Sequence, residues 1–271
     1  MNRVVIITGG ASGIGAGLVR SHAADGDIVL AADIDVAGLA TVGQLPGVEA
    51  VELDVRDARA VQVVVDEAVR KHGRLDVIYN NAGIGIGGRT EDLALAHWDR
   101  AIDVNLRGVV HGVHAALPHL LRQGHGQVVN TASLAGLLPA PGLAPYAATK
   151  HAVVGLTLAL NVEYAERGVV FTAVCPGFTD TPILDKYSPA DLPSVPRPVN
   201  PRRIAEATPG GIYPLEKLIV DIRTGVAAKE AIIVSPATAR RAWRLYRWAP
   251  GRILRIFQRQ AGRAQQKLRG R

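Results

Sequence analysis

Tyr146 and Lys150 stand four residues apart, and a helix would bring both side chains onto one face. A phenol with an ordinary pKa of about 10 is no base at neutral pH, but a nearby ammonium stabilises its phenolate. Such a tyrosine can donate a proton to a carbonyl oxygen or take one from an alcohol. Ser133 lies thirteen residues before the tyrosine, just past an expected strand, where its hydroxyl would hold the same substrate oxygen and stabilise its developing charge. A Tyr and Lys at this spacing is usually an ordinary surface pair. What gives it weight is the company it keeps.

That company starts at the N-terminus. A β-branched run, Val4 to Thr8, leads into Thr8-Gly9-Gly10-Ala11-Ser12-Gly13-Ile14-Gly15 and then directly into a helical pattern. A glycine-rich turn that opens a helix presents backbone N–H groups and the helix dipole to a pyrophosphate, so Gly9, Ser12, Gly13, Ile14 and Gly15 are candidate cofactor contacts. Eighteen residues after Gly15, at the end of the second expected strand, Asp33 is placed to accept hydrogen bonds from an adenosine ribose. Its carboxylate would repel a 2′-phosphate, and neither Ser12 nor Ile34 supplies positive charge, which favours NAD over NADP. Asp54, with Val55 beside it, ends the third expected strand; it either reaches the adenine edge or simply caps a helix.

The elements that must position these groups follow from periodicity. Strands are expected at Val4 to Thr8, Ile28 to Asp33, Val48 to Asp54, Val77 to Asn80, Gln127 to Thr131, Val169 to Cys175 and Ala231 to Ser235. Helical patterns fill Ile14 to Ala24, Ala58 to His72, His97 to Arg122 and Tyr146 to Arg167. This alternation predicts an α/β fold, a single Rossmann-type doubly wound domain over residues 1–236 with a mostly seven-stranded parallel sheet. Phe178 to Pro214 carries eight prolines, cannot form a long regular element, and suits a lid or binding loop.

Composition agrees. Hydrophobic residues make up 48% of the 271-residue chain but aromatics only 4%, so the core must be built from Ala, Val, Leu and Ile, as suits a covered parallel sheet. The lone Cys175 excludes an internal disulfide, and in its apolar run it is expected to be a packing residue. With no signal-peptide pattern at the N-terminus and no apolar run of the roughly 18 residues that cross a bilayer, a cytoplasmic location is expected. No metal is called for.

Taken together, these residues resemble the short-chain dehydrogenase/reductase family over nearly the whole body, from Arg3 to about Pro236. Thr8 to Gly15 is similar to its TGxxxGIG motif, Asn80-Asn81-Ala82-Gly83 to its NNAG, and Tyr146 to Lys150 to its YxxxK. The resemblance implies a tetrad in which Asn105 anchors a water linking Lys150 to solvent, and in which Lys150 binds the nicotinamide ribose. It further implies that Asn80, with Ala82 and Gly83, lies beside the adenosine, that Pro176, Gly177 and Thr179 meet the nicotinamide, and that Thr181 helps Thr179 hold its carboxamide. The expected activity is NAD-dependent interconversion of a secondary alcohol and a ketone, with oxidation the expected sense. The four-residue proton-transfer set favours an enzyme over a non-catalytic NAD-responsive regulator. Ile183, Leu184, Tyr187, Leu192 and Val195 suggest an apolar pocket wall, hence a steroid-, retinoid- or fatty-type substrate.

The family's usual VDGG-like ending is replaced by Ala231 to Pro236 and a basic extension over residues 237–271. A homodimer through the long helices is therefore favoured over a homotetramer. The net charge of +7 resides in that extension: Thr238 to Arg271 holds eleven Lys/Arg and no acid, leaving a body with 20 basic and 24 acidic residues. Pro250-Gly251 divides it into two helical pieces, the second with Ile253, Ile256, Phe257, Ala261, Ala264 and Leu268 near one face. Such a segment suits an anionic membrane surface, or docking on its own body or a second subunit; nucleic acid is the weaker expectation.

Overall fold

The computed structural model describes residues 2–185, 188–196, 200–208 and 210–269, the last ten of these by backbone alone. The chain runs β1 (Val4–Thr8), α1 (Gly13–Ala24), β2 (Ile28–Asp33), α2 (Val36–Val42), β3 (Val48–Glu52), α3 (Ala58–His72), β4 (Val77–Asn80), α4 (Leu95–Ile102), α5 (Gly108–Gln123), β5 (Gly126–Thr131) and α6 (Ala144–Glu163). It continues through β6 (Val169–Pro176), α7 (Pro201–Ala207), α8 (Leu215–Ala227), β7 (Ile232–Ser235), α9 (Ala237–Trp248) and α10 (Pro250–Arg269). All seven strands pair in parallel in the order β3-β2-β1-β4-β5-β6-β7. The order reverses between β1 and β4, and that reversal opens a crevice at their C-terminal ends.

The central strands are largely apolar because both faces are covered, whereas the edge strand β3 carries Glu49 and Glu52. In β1, Val4 and Ile6 face a core completed by α3, α5 and α6, whereas Val5 and Ile7 face one completed by α1, α2 and α8. The same alternation puts Ile78 of β4 on the first face and Tyr79 on the second. Few rings are needed: Tyr79 and Phe171 are the largest fully buried side chains, among a majority of Val, Ile, Leu and Ala.

Several elements differ from expectation. α2 and α8 lie outside the expected helical patterns; α8 packs Leu218, Ile219, Ile222 and Val226 on the second core. The Pro-rich stretch includes the short α7, which Pro201 can open because the first helical turn needs no N–H donor there. The long His97 to Arg122 pattern is two helices joined by a π turn, Asp103–Arg107. β3 stops at Glu52, so Asp54 is not its end, and the cap of α3 is Asp57, whose carboxylate accepts from the N–H groups of Arg59 and Ala60. No helix among the described residues is long and apolar enough to cross a membrane.

At the N-terminal ends of the strands lies a buried polar network. His22 Nδ1 lies 2.7 Å from Asp27 and its Nε2 lies 3.0 Å from the Tyr79 hydroxyl. Burial, with Arg223 nearby, lowers the His22 pKa to about 4, so the ring is neutral, donates to Asp27 and accepts from Tyr79. Arg3 bridges Asp25 and Asp27, and Arg223 pairs with Asp25. A cavity of about 470 Å³ opens here, lined by Arg3, Asp76, Tyr79 and Arg223 among others. It lies at the end of the sheet opposite the groups singled out for chemistry.

Candidate active site

The glycine-rich turn is shaped by what surrounds it. Gly9 has φ +67, in the left-handed region, and a Cβ there would lie 2.8 Å from Ala82 Cα. At Gly15 a Cβ would fall 1.9 Å from the Gly9 carbonyl oxygen, so only glycine lets the turn close on the start of α1. Ser12 is extended and makes no side-chain cap bond, which leaves the first N–H groups of α1 to meet an anion. Asp33 sits at the C-terminal end of β2, next to the turn. One of its oxygens accepts from Ala11 N at 3.0 Å and the other from Asp35 N at 3.0 Å. The carboxylate is thereby fixed in place with acceptor capacity to spare.

β4 and the residues after it tie this turn to the rest of the site. Thr8 Oγ accepts from the N–H groups of Asn81, at 3.0 Å, and Ala82, at 3.1 Å. The Asn81 amide donates to Thr8 O at 3.0 Å, and its oxygen accepts from the Thr131 hydroxyl at 3.1 Å. Thr8, Asn81 and Thr131 thus lock three strand ends together, a role that motif matching alone did not assign to them. The Asn80 side chain turns away from the crevice, although its backbone ends β4 beside it. Its side chain is buried toward α5, donates to Asn130 at 2.8 Å, and occupies the space that a Cβ at Gly112 would need. The reason is the period of a strand: Asn80 shares the face of Ile78, away from the crevice. Ala82 and Gly83 do line the crevice edge, and Gly83 is exposed.

Asp54 is also otherwise engaged. Its carboxylate accepts from Arg56 N at 2.9 Å and from the Arg56 guanidinium at 2.6 to 3.0 Å, and this pairing holds it below the usual carboxylate range. Val55 is buried, and its carbonyl accepts from His111 at 2.8 Å.

The proton-transfer candidates converge. Tyr146 enters on the first turn of α6 and Lys150 one turn later, with the ammonium 5.6 Å from the phenol ring centroid. Ser133, just past β5, accepts from Ala135 N at 3.1 Å, and its hydroxyl lies near the Tyr146 phenol, where it opposes the rise of the phenol's pKa. Lys150 is 3% exposed and donates to the Thr131 carbonyl at 2.7 Å. Asn105 is fully buried on the π turn: its oxygen accepts from Ile84 N at 2.8 Å, and its amide donates to Ile84 O at 3.1 Å and to Thr149 Oγ at 3.4 Å. The wider turn aims Asn105 at the loop after β4, where a regular helix would carry it round, and π turns recur at functional sites for this reason.

One expectation is corrected by the electrostatics. Lys150 was expected to lower the Tyr146 pKa, but burial raises it, opposed by the Ser133 hydrogen bond. Burial also brings Lys150 down to about 8. Desolvation outweighs mutual stabilisation because the ammonium bonds the Thr131 carbonyl instead of the phenol. Cys175 is buried beneath these groups on β6, its thiol pushed up to about 12 by burial, which suits a packing residue and not a nucleophile.

On the far side of the crevice, Pro176 ends β6, Gly177 N donates to Ser235 O at 2.7 Å, and Thr179 and Thr181 are both buried. Thr181 is 3.4 Å from where a Cβ on Gly13 would be, so this segment closes over the glycine-rich turn. The Pro-rich loop then folds back onto α4. His97 Nε2 lies 3.0 Å from Pro193 O, and Arg100 pairs with Asp191 at 2.8 Å. Ile183, Leu192 and Val195 are half-buried there and Leu184 is buried, while Tyr187 lies outside the described residues.

A dinucleotide fits this arrangement: an uncapped helix N-terminus, glycines whose Cβ positions are blocked, and a fixed carboxylate at the next strand end lie along one crevice. The family model for short chain dehydrogenases matches residues 3–191. A 3-oxoacyl-[acyl-carrier-protein] reductase of Thermotoga maritima is 38% identical over 189 residues, covering 68% of this chain and 77% of that protein. A cyclohexanol dehydrogenase of Acinetobacter is 36% identical over 197 residues, 70% of this chain and 78% of the other. A crystal structure of a short-chain dehydrogenase/reductase from Burkholderia phymatum in complex with NAD superposes with a TM-score of 0.83 at 30% identity, covering 92% of this chain and 94% of that one. The chain belongs to the short-chain dehydrogenase/reductase family of oxidoreductases.

Proposed function

We propose that this protein is an NAD-dependent dehydrogenase or reductase that interconverts a lipophilic secondary alcohol and its ketone, with Tyr146 as the proton-transferring group. The observation that carries the reading is the convergence of Ser133, Tyr146, Lys150 and Asn105 at the crevice opened by the glycine-rich turn. A non-catalytic binder has no chemical need for that set.

Bound NAD would supply the hydride acceptor. Gly9, Ser12, Gly13, Ile14 and Gly15 would hold its pyrophosphate, Asp33 its adenosine ribose, and Lys150 its nicotinamide ribose. Pro176, Gly177, Thr179 and Thr181 would flank the nicotinamide. The Tyr146 hydroxyl would take the proton of the alcohol, or return it to the ketone, while Ser133 shares the same oxygen. Lys150, poised at about 8, is acidic enough to pass a proton near neutral pH, and Asn105 anchors the relay from it to solvent. Asp33 together with the absence of Lys and Arg from residues 34–43 disfavours a 2′-phosphate and so favours NAD over NADP. Two relatives named for cyclohexanol and for 3-oxoacyl chemistry act on a carbon of the kind this site would oxidise or reduce. The half-buried Ile183, Leu192 and Val195 support an apolar substrate.

The test follows NADH absorbance across a panel of cyclic and long-chain secondary alcohols and ketones, with NADP in parallel and Tyr146→Phe as control. Turnover with NAD that disappears in the variant is expected. NAD binding with no turnover across the panel would reject the enzyme reading in favour of a cofactor-responsive regulator.

A further inference from the structure

We infer that α9 and α10 form a peripheral membrane anchor that lies on bilayers rich in anionic lipid. The two helices follow β7 and are joined at Ala249-Pro250. The inner side of α9 is rooted in the body: Ala239 is buried and Trp243 packs on the core that α3, α5 and α6 share. Its outer side is apolar without a partner, with Leu245 61% exposed and Trp248, three residues on and so on the same face, 91% exposed. Leu254 and Ile256 of α10 are exposed as well, at 38% and 48%.

Around these apolar groups, every arginine from Arg240 to Arg259 is exposed. Arg247 stacks on Trp243 and Arg240 donates to Val234 O, but Arg241, Arg244, Arg252, Arg255 and Arg259 form no ion pair among the described residues. The extension contains no acid at all. Cations interleaved with exposed Trp, Leu and Ile suit a headgroup layer, which takes charge at the phosphates and apolar side chains just below them.

The other occupants fit less well. Pairing of two extensions would bring like charges together. The acidic body of a second copy is a poor acceptor because many of its carboxylates already have internal cations: Asp25 and Asp27 have Arg3, Asp54 has Arg56, Asp191 has Arg100, and Asp185 has Arg202. A nucleic acid would satisfy the arginines but leave Leu245, Trp248, Leu254 and Ile256 in water. The anchor's root also touches the active-site crevice, since Ala239 Cβ is 3.5 Å from where a Cβ on Gly177 would be. The inference does not depend on the proposed reaction.

The full chain is floated with vesicles of phosphatidylcholine alone and of phosphatidylcholine mixed with phosphatidylglycerol, beside two full-length variants, L245E/W248E and R244Q/R252Q/R255Q. All the replaced side chains are exposed, and retained secondary structure by circular dichroism verifies that each variant is folded. Flotation with the anionic vesicles only, weakened by added salt, is expected. The Leu/Trp variant should partition at least about a hundredfold more weakly, from the loss of two large apolar contacts. The arginine variant should lose most of its flotation with the anionic vesicles, and what remains should no longer depend on salt. Absence of flotation by the wild type at low salt overturns the inference. So does a dimer in sedimentation that L245E/W248E dissociates, or binding to random-sequence duplex DNA at the same salt that is stronger than vesicle binding and indifferent to L245E/W248E.

Discussion

Thr8 is the place to ask whether the glycine-rich turn and the segment after β4 act as one unit. The Thr8→Val substitution keeps the shape of the side chain but removes the hydroxyl that accepts from Asn81 N at 3.0 Å and Ala82 N at 3.1 Å. A buried donor left without an acceptor costs about 1–3 kcal/mol. Asn81 and Ala82 are half-buried, so water recovers part of this, and a total of about 2–3 kcal/mol is expected. At about 2–4 °C per kcal/mol for a domain of this size, the melting temperature should fall by about 4–12 °C. Thr8→Ser keeps the acceptor and should melt close to wild type. Because Asn81 also grips Thr8 O, the loosened turn should bind NADH roughly tenfold more weakly, which corresponds to about 1.4 kcal/mol of the loss reaching the cofactor. Melting by circular dichroism and titration of NADH fluorescence measure the two effects. Equal melting of Thr8→Val and wild type, or a Thr8→Ser loss as large as that of Thr8→Val, would refute the reasoning, since the hydroxyl would then not be what joins the segments.

Other perturbations read other parts of the molecule. His22 has a folded pKa of about 4 against an unfolded value of 6.5, so its contribution to stability is complete above 6.5 and disappears as pH falls through about 4. Unfolding free energies from urea titrations across that window should drop by on the order of 3 kcal/mol in the wild type and much less in His22→Gln. Lys150, lowered from 10.5 to about 8, gives the same sign at higher pH: stability without cofactor should rise between those values, and Lys150→Met should lack the rise. Gly112→Ala places a Cβ 1.8 Å from Asn80 Oδ1 and should destabilise by about 1–3 kcal/mol, whereas Gly155→Ala, which has open space around it on the same kind of helix, should stabilise by about 0.4–1 kcal/mol; thermal melts of the pair separate crowding from helix propensity.

Much of this molecule is legible in its residues. β1, β2 and β4 keep the boundaries that their β-branched runs suggest, and Ser133, Tyr146 and Lys150 converge as their spacing requires. The misses have physical causes. α8 is announced by Leu218, Ile219, Ile222 and Val226 at helical spacing, but it follows a proline run that masks its start. Asn80 and Asn81 look interchangeable in a motif, yet a strand's period of two sends Asn80 into the core and leaves Asn81 at the crevice. The rise of the Tyr146 pKa is hidden for a similar reason: proximity of a lysine is visible in a sequence and desolvation is not. The π turn at Asn105 is equally silent, since no residue type marks the extra residue in that turn.

The buried network at the opposite end of the sheet bears on how this protein can be altered. His22, Asp27, Arg3 and Arg223 sit toward the N-terminal ends of the strands, while Thr8, Asn81, Thr131 and Tyr146 sit at or past the C-terminal ones; Tyr79 spans the two, its hydroxyl on His22 and its carbonyl accepting from Thr8 Oγ at 3.3 Å. Five residues of β1 separate the His22–Asp27–Arg3 contacts from Thr8 by about 17 Å, far enough for changes that leave Tyr79 in place to add independently to changes at the other end. Thermal robustness and substrate choice are therefore separate engineering problems in this scaffold: libraries confined to the His22 end can raise durability, while libraries around residues 183–195 retune selectivity, and the gains can be combined.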